Sequence, residues 1–185
     1  MPTSNPKPAF AIWFTGLPAS GKSTLAGIVR TELLRRGVLI VILESDILRR
    51  ILTPNATYSD PERDAFYQQL ADIGAMLVHQ GIPVIFDATA NRRGYRDHAR
   101  RQIPDFVEVY VNCPLQICAE RDPKKIYRKV NDGTVIYVPG AQVEYEAPLR
   151  PDLVVRGDRE DPHTAAERIV AALEDRCFIR RKNHS

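Results

Sequence analysis

The residues best suited to chemistry are Gly16, Leu17, Pro18, Ala19, Ser20, Gly21, Lys22 and Ser23, followed by Thr24, which together satisfy the pattern G-x-x-x-x-G-K-[ST]. Glycines let successive backbone N–H groups curve around a phosphate, and a helix starting at the lysine adds partial positive charge. Lys22 supplies a full charge, and the Ser23 hydroxyl is a ligand for Mg²⁺. The bare alternative is a glycine turn with no ligand. A second concentration of charge lies at Arg121, Lys124, Lys125, Arg128 and Lys129. Such a run is usually a solvated face, but it also suits the charge spread over a phosphoryl group in transfer.

The phosphate loop needs a strand before it and a helix after it. Ala11-Ile12-Trp13-Phe14-Thr15 is a short apolar run of strand formers, and Leu25, Ile28, Val29 and Leu33 then follow a helical period that Gly37 ends. Residues 38–43 are continuously apolar, the pattern of a strand covered on both faces in a parallel sheet. A polar loop, a helix carrying Phe66, Leu70, Ile73 and Leu77, and a strand at 84–86 come next. A charged helix at 94–102, a strand at 106–111, short helices at 115–121 and 124–130, a strand at 153–155, and a helix capped by Asp161-Pro162 complete the chain. Strands alternating with helices predict a three-layer α/β fold around a parallel sheet in one domain spanning 1–185, with tails at 1–9 and 177–185.

Composition narrows the class. The 185 residues are 44% hydrophobic and 26% charged, with formal charge +3, which suits anionic small molecules without arguing for duplex nucleic acid. Three cysteines, Cys113, Cys118 and Cys177, have no metal spacing and are read as reduced thiols. No run approaches the ~20 apolar residues of a membrane span, and the polar, Pro-rich start is not a secretory signal, so a cytoplasmic location is expected. A guanine-specific switch would carry N-K-x-D and D-x-x-G elements; neither occurs. A small kinase is therefore favoured over a GTPase or a motor.

From 16 to 148 the chain resembles the adenylylsulfate kinases, on the phosphate loop, on Cys113-Pro-Leu-Gln-Ile-Cys-Ala-Glu-Arg-Asp-Pro-Lys124, and on Tyr145-Glu-Ala-Pro148. The resemblance implies a five-stranded parallel sheet, ATP with Mg²⁺ at the loop, adenylylsulfate as acceptor, a lid at about 121–140 and a homodimer. It also implies Lys22, Asp46 and Lys124 as catalytic residues, with Arg121 joining the loop in binding ATP. Asp46 occupies the second aspartate of the family's D-G-D-x-x-R element; its bland alternative is a helix N-cap. Arg49, Tyr58, Arg63 and Arg93 fall to the acceptor, Tyr58 as a stacking aromatic whose alternative is loop packing.

The acceptor side departs from the pattern. Glu44 and Ser45 replace the first Asp-Gly of D-G-D, Phe66 replaces the asparagine of D-R-x-E-N, and Val138 replaces an aromatic that Tyr137 adjoins. The Asn-to-Phe change either strips an amide from the pocket or sends Phe66 into the core. Asp87 follows the third strand directly, where it would serve the Mg²⁺ shell, orient the acceptor, or act only as a turn residue. Three readings follow: adenylylsulfate kinase, the same transfer to another nucleotide, small molecule or polynucleotide end, and a non-catalytic ATP-binding module. The chain shows no broad basic, aromatic-rich surface for nucleic acid.

Overall fold

The computed structural model describes residues 9–131 and 137–181; the rest of the expected tails, residues 132–136 of the expected lid and the side chains of residues 129–131 lie outside the described residues. Five strands, β1 (Ala11–Thr15), β2 (Val41–Glu44), β3 (Val84–Asp87), β4 (Phe106–Asn112) and β5 (Leu153–Arg156), form one parallel sheet in the order β2-β3-β1-β4-β5. The helices are α1 (Lys22–Arg35), α2 (Ser45–Leu52), α3 (Asp60–His79), α4 (Arg93–Gln102), α5 (Leu115–Arg121), α6 (Ile126–Asn131) and α7 (Pro162–Asp175).

Strand period two divides β1 between two cores. Phe10, Ile12 and Phe14 join Leu25, Val29 and Leu33 of α1 and Ile169, Val170 and Leu173 of α7. Ala11 and Trp13 face the other way, onto Phe66 and Leu70 of α3 and Ala99 of α4. Trp13 stacks on Phe86 of the neighbouring strand with centroids 4.4 Å apart. The sheet is thus apolar on both faces and covered on both, as continuous apolar strands require. Asp161 caps α7 as expected, accepting from the N–H groups of His163 and Thr164.

Three expectations are corrected. Strand β2 starts at Val41 rather than Val38, because the end of α1 consumes the preceding residues. The N–H of Gly37 donates to Leu34 O and that of Val38 to Leu33 O, a helix closure that needs the left-handed φ of +74° at Gly37. As an edge strand, β2 is also not covered throughout: Leu39 before it is 79% exposed. The polar loop after β2 contains α2, which packs Leu48 and Leu52, both partly buried, against the second core and leaves Ile47 and Ile51 exposed. Finally, the C-terminal tail does not begin at 177. Phe178 stacks on Phe10 and Ile179 is buried against the first core.

Candidate active site

The C-terminal ends of β1, β2 and β3 converge on one cleft, where open parallel sheets bind ligands. The loop leaving β1 runs so close to β4 that a Cβ on Gly16 would sit 2.4 Å from Val111 O, leaving room only for glycine. Gly21 is the N-cap residue of α1, and Lys22 begins the helix. Lys22 is buried and its Nζ donates to Gly16 O and Leu17 O at 3.1 and 2.8 Å. Burial lowers its pKa to about 8, with the carboxylates of Asp87 and Asp46 pulling in the opposite direction. The loop therefore holds a cation that an incoming phosphate would stabilise.

Two cavities of about 480 Å³ each meet at Asp46. The first is walled by Pro18, Ala19, Gly21, Lys22, Ser23 and Thr24 of the loop, by Glu44, Asp46 and Asp87 at the strand ends, and by Arg121 and Lys124 across the gap. Gly16, Leu17 and Ser20 support it from behind: Leu17 packs against the small apolar cluster of Cys113, Cys118, Tyr127 and Val138, and Ser20 is buried. The second is walled by Asp46, Arg49, Tyr58, Arg63, Tyr67, Tyr137 and Val138.

Asp46 lies within the first turn of α2 and makes no N-cap bond, so the capping alternative is not realised. Its Oδ2 accepts from Lys124 Nζ at 2.5 Å, and that hydrogen bond raises the Lys124 pKa, helped by the charges of Glu44 and Asp87. Asp87 is buried at the end of β3, lines the first cavity, and has no hydrogen-bond partner among the described residues. A turn or cap role gives no account of a buried, unbonded carboxylate facing a cavity. Arg121 donates to Gly157 O at 2.8 Å. It joins the first cavity to another of about 500 Å³, lined in part by residues 157–162 after β5.

Arg63 is buried and bolts the two sides of the second cavity together. Its Nε donates to Tyr58 O at 3.0 Å and its Nη2 to Tyr137 O at 2.6 Å, with the guanidinium 5.9 and 5.5 Å from the two rings. Tyr58, at a left-handed φ of +59°, presents an exposed ring to the cavity, beyond what loop packing would ask. Tyr137 is also exposed there, whereas Val138 is buried among Cys113, Cys118 and Tyr127. Phe66 goes to the core, fully buried.

Arg93 is the site residue that the fold does not bring to the cleft. Its backbone N–H donates to Glu146 Oε2 and its Nη1 to Ala147 O, so it anchors the 145–148 segment instead. Arg96 does the same from within the core, pairing with Glu108 at 2.7 Å and donating to Glu146 O. Tyr145 in turn reaches Thr15 Oγ1 at 3.0 Å, directly before the phosphate loop. The diagnostic Tyr-Glu-Ala-Pro element is therefore a brace under the site. Sequence reasoning missed Thr89, which lines both cavities and whose carbonyl accepts from Thr15 Oγ1. It also missed residues 157–162 beside Arg121; Gly157 just past the last strand was the available signal. The cysteines are free, Cys113 and Cys118 buried and Cys177 exposed, and burial pushes the Cys118 thiol up to about 12.

A parallel sheet in this order, with a Lys-Ser phosphate loop leaving its central strand and a cationic segment facing that loop, defines a P-loop phosphotransferase. Comparison makes the assignment particular. A family profile described as adenylylsulphate kinase matches residues 8–156. The probable adenylyl-sulfate kinase of Bacillus subtilis is 34% identical over 170 residues, 91% of this chain and 85% of the relative. That of Archaeoglobus fulgidus is 37% identical over 153 residues, 83% of this chain and 99% of the relative. Among solved structures, the Mycobacterium tuberculosis APS kinase in complex with AMPPNP and APS superposes with a TM-score of 0.85 at 32% identity, covering 91% of this chain and 99% of that one. The chain belongs to the adenylylsulphate kinase family, which is a family of ATP-dependent kinases. Among the described residues no helix is long and apolar enough to cross a membrane.

Proposed function

We propose that the chain transfers the γ-phosphoryl group of ATP to the ribose 3′-hydroxyl of adenylylsulfate, giving ADP and 3′-phosphoadenylylsulfate. The observation that carries this reading is the meeting of a phosphate-loop cavity and an aromatic, arginine-lined cavity at one carboxylate, Asp46. A donor held on one side and a nucleotide acceptor on the other would face each other across it. Holding both in line converts a bimolecular reaction into an effectively unimolecular one.

The loop N–H groups and Lys22 bind the triphosphate, with Arg121 and residues 157–162 beside its base. Tyr58 and Tyr137 flank the acceptor's adenine, Tyr137 taking the place that Val138 leaves empty, and Arg63 fixes their spacing. Arg49 meets the acceptor's anionic end. Arg93 acts at one remove, through the 145–148 brace. The hydroxyl oxygen attacks the γ-phosphorus, its proton passes to Asp46, and the bond to the ADP oxygen breaks. In the free enzyme Asp46 is held by Lys124. The triphosphate offers Lys124 a denser anion, so its transfer from Asp46 to the phosphoryl oxygens frees the carboxylate as it supplies charge where charge develops. Residues 121–140 would thereby work as the lid.

The residues present fit Mg²⁺. The Ser23 hydroxyl and the unbonded Asp87 carboxylate both line the loop cavity, and no cluster of three or more His, Cys, Asp or Glu side chains placed to hold a metal occurs among the described residues. Few protein ligands suit an ion that keeps its waters and takes phosphate oxygens. When bound, Mg²⁺ neutralises charge on the phosphates during transfer. A homodimer and a cytoplasmic location complete the reading.

The test is ADP release with Mg-ATP against a panel of acceptors at equal concentration. Adenylylsulfate should be turned over at least a hundredfold faster than adenosine, sugars or a 5′-hydroxyl oligonucleotide. Faster turnover of another acceptor would move the reading to the same transfer elsewhere, the alternative that the departures from the family pattern at Phe66 and Val138 motivate. No turnover with any, and no loss on Lys22→Ala, would leave a nucleotide-binding module.

A further inference from the structure

Arg49 is held in an unusual way for a cation in a binding cavity. Its Cζ lies 3.8 Å from the ring centroid of Phe66, with the rings of Tyr58 and Tyr67 at 5.1 and 5.9 Å. The side chain is only 12% exposed, yet its one hydrogen bond among the described residues is from Nη1 to Glu62 Oε1 at 3.4 Å. Glu62 is largely committed elsewhere, accepting from the N–H and hydroxyl of Thr57 and from the N–H of Tyr58. Arg49 therefore sets its guanidinium carbon over the Phe66 ring at the cavity wall, and its remaining N–H donors have no protein partner among the described residues.

A polar side chain at 66 would behave differently. An amide or hydroxyl oxygen satisfies a guanidinium by accepting at its edge, and so uses up donors. An aromatic ring attracts the face through its quadrupole and leaves the edge free. Fully buried in the core, Phe66 also cannot follow the arginine as it moves, so the ring acts as a fixed shelf.

We infer that Phe66 is a positioning residue for the acceptor: it holds the Arg49 guanidinium over its ring and leaves the donors other than the one on Glu62 for a ligand, making the site selective for acceptors carrying a full anionic group and intolerant of neutral nucleosides. This rests on the reading of the second cavity as the acceptor site. Unpaired donors in a nearly buried guanidinium are costly unless a ligand fills them, which is the source of the selectivity.

The experiment is a double-mutant cycle in initial-rate kinetics with Mg-ATP and adenylylsulfate, using wild type, Phe66→Leu, Arg49→Met and the double variant, with Phe66→Tyr as the conservative control. Phe66→Leu should raise the acceptor KM by about five- to thirtyfold, the range of a desolvated cation–π contact, while the ATP KM and kcat stay within about twofold. In the Arg49→Met background the same change should do nothing further, and Phe66→Tyr should restore most of the loss. Equal rises in both KM values, or full additivity with Arg49→Met, would mean that Phe66 only fills the core and would overturn the inference. Two-dimensional NMR of the arginine Nε–H groups gives an acceptor-independent reading: Arg49 should show a ring-current shift in wild type that Phe66→Leu removes. Absence of that shift in the wild type overturns the inference even if Phe66→Leu proves too unstable for kinetics. Wild-type failure to phosphorylate adenylylsulfate would instead sink the acceptor assignment, and the cycle would then be run on the acceptor that does turn over, with the same outcomes decisive.

Discussion

Binding of a nucleotide should carry a proton with it, and the quantity follows from Lys22. Burial holds this ammonium near pKa 8 in the free protein, about 2.5 below its ordinary 10.5. A bound triphosphate or diphosphate places several negative oxygens against it and should return its pKa above 10. At pH 8.5 the free protein then carries roughly a quarter of a proton on Lys22 and the complex nearly a whole one, so binding takes up about 0.7 proton; at pH 7 the uptake falls to about 0.1. A shift of this size corresponds to about 3 kcal/mol of coupling between the ammonium and the phosphates. Titration calorimetry with Mg-ADP, in two buffers of different ionisation enthalpy, measures the uptake directly. Lys22→Met should abolish it. Asp87→Asn removes a carboxylate that favours the charged lysine, so uptake at pH 7 should grow. The same shift fixes the pH dependence of folding. The unfolded chain binds more protons than the native one between about pH 8 and 10.5, so this lysine makes the nucleotide-free protein more stable as pH rises through that window. Uptake near zero at pH 8.5, or equal in wild type and Lys22→Met, would refute the claim that the loop lysine is a desolvated cation awaiting phosphate.

Other consequences are local. Arg63→Leu, which severs the bonds to Tyr58 O and Tyr137 O, should raise the acceptor KM at least tenfold with the ATP KM little changed, in steady-state kinetics. Lys124→Ala should lower kcat by about a hundred- to a thousandfold and leave the urea midpoint unmoved, because its ion pair with Asp46 is exposed. Arg96→Ala should cost about 3 kcal/mol in urea unfolding, since it removes the 2.7 Å partner of the buried Glu108 carboxylate and leaves it only Arg100 at 3.4 Å. Asp87→Asn should raise the Mg²⁺ concentration for half-maximal rate severalfold without changing the fold, as judged by circular dichroism.

Much of the fold was legible because each long strand and helix carries its own period. The short apolar run at 11–15, the valines at 107, 109 and 111, and the Asp161-Pro162 cap each point to one element, and each forms. Helix α2 was missed although Ile47, Leu48, Ile51 and Leu52 fall at a helical spacing, because two turns set in a polar stretch are too short for that spacing to stand out from a loop. The start of β2 was misplaced because an apolar run does not reveal that a helix closure has already claimed Val38. At the site, the donor half follows from a local motif, whose spacing dictates its own geometry. The second cavity, the proposed acceptor half, is lined by Asp46, Tyr58, Arg63 and Tyr137, spread over three segments, and only tertiary packing shows that Arg63 ties two of them together. Arg93 shows the opposite failure: a position that matches an arginine-flanked pattern, but one whose side chain is used to brace the chain at Ala147.

We propose that the two cavities meeting at Asp46 pass a phosphoryl group from ATP to the 3′-hydroxyl of adenylylsulfate. The most direct test is the identity of the product, by phosphorus NMR and mass spectrometry after incubating the purified protein with Mg-ATP and adenylylsulfate. A new phosphomonoester on the ribose 3′ position, formed in equal amount with ADP and lost in Asp46→Asn, is the predicted result. ADP formed without that phosphomonoester, or the same product at undiminished rate from Asp46→Asn, would contradict it.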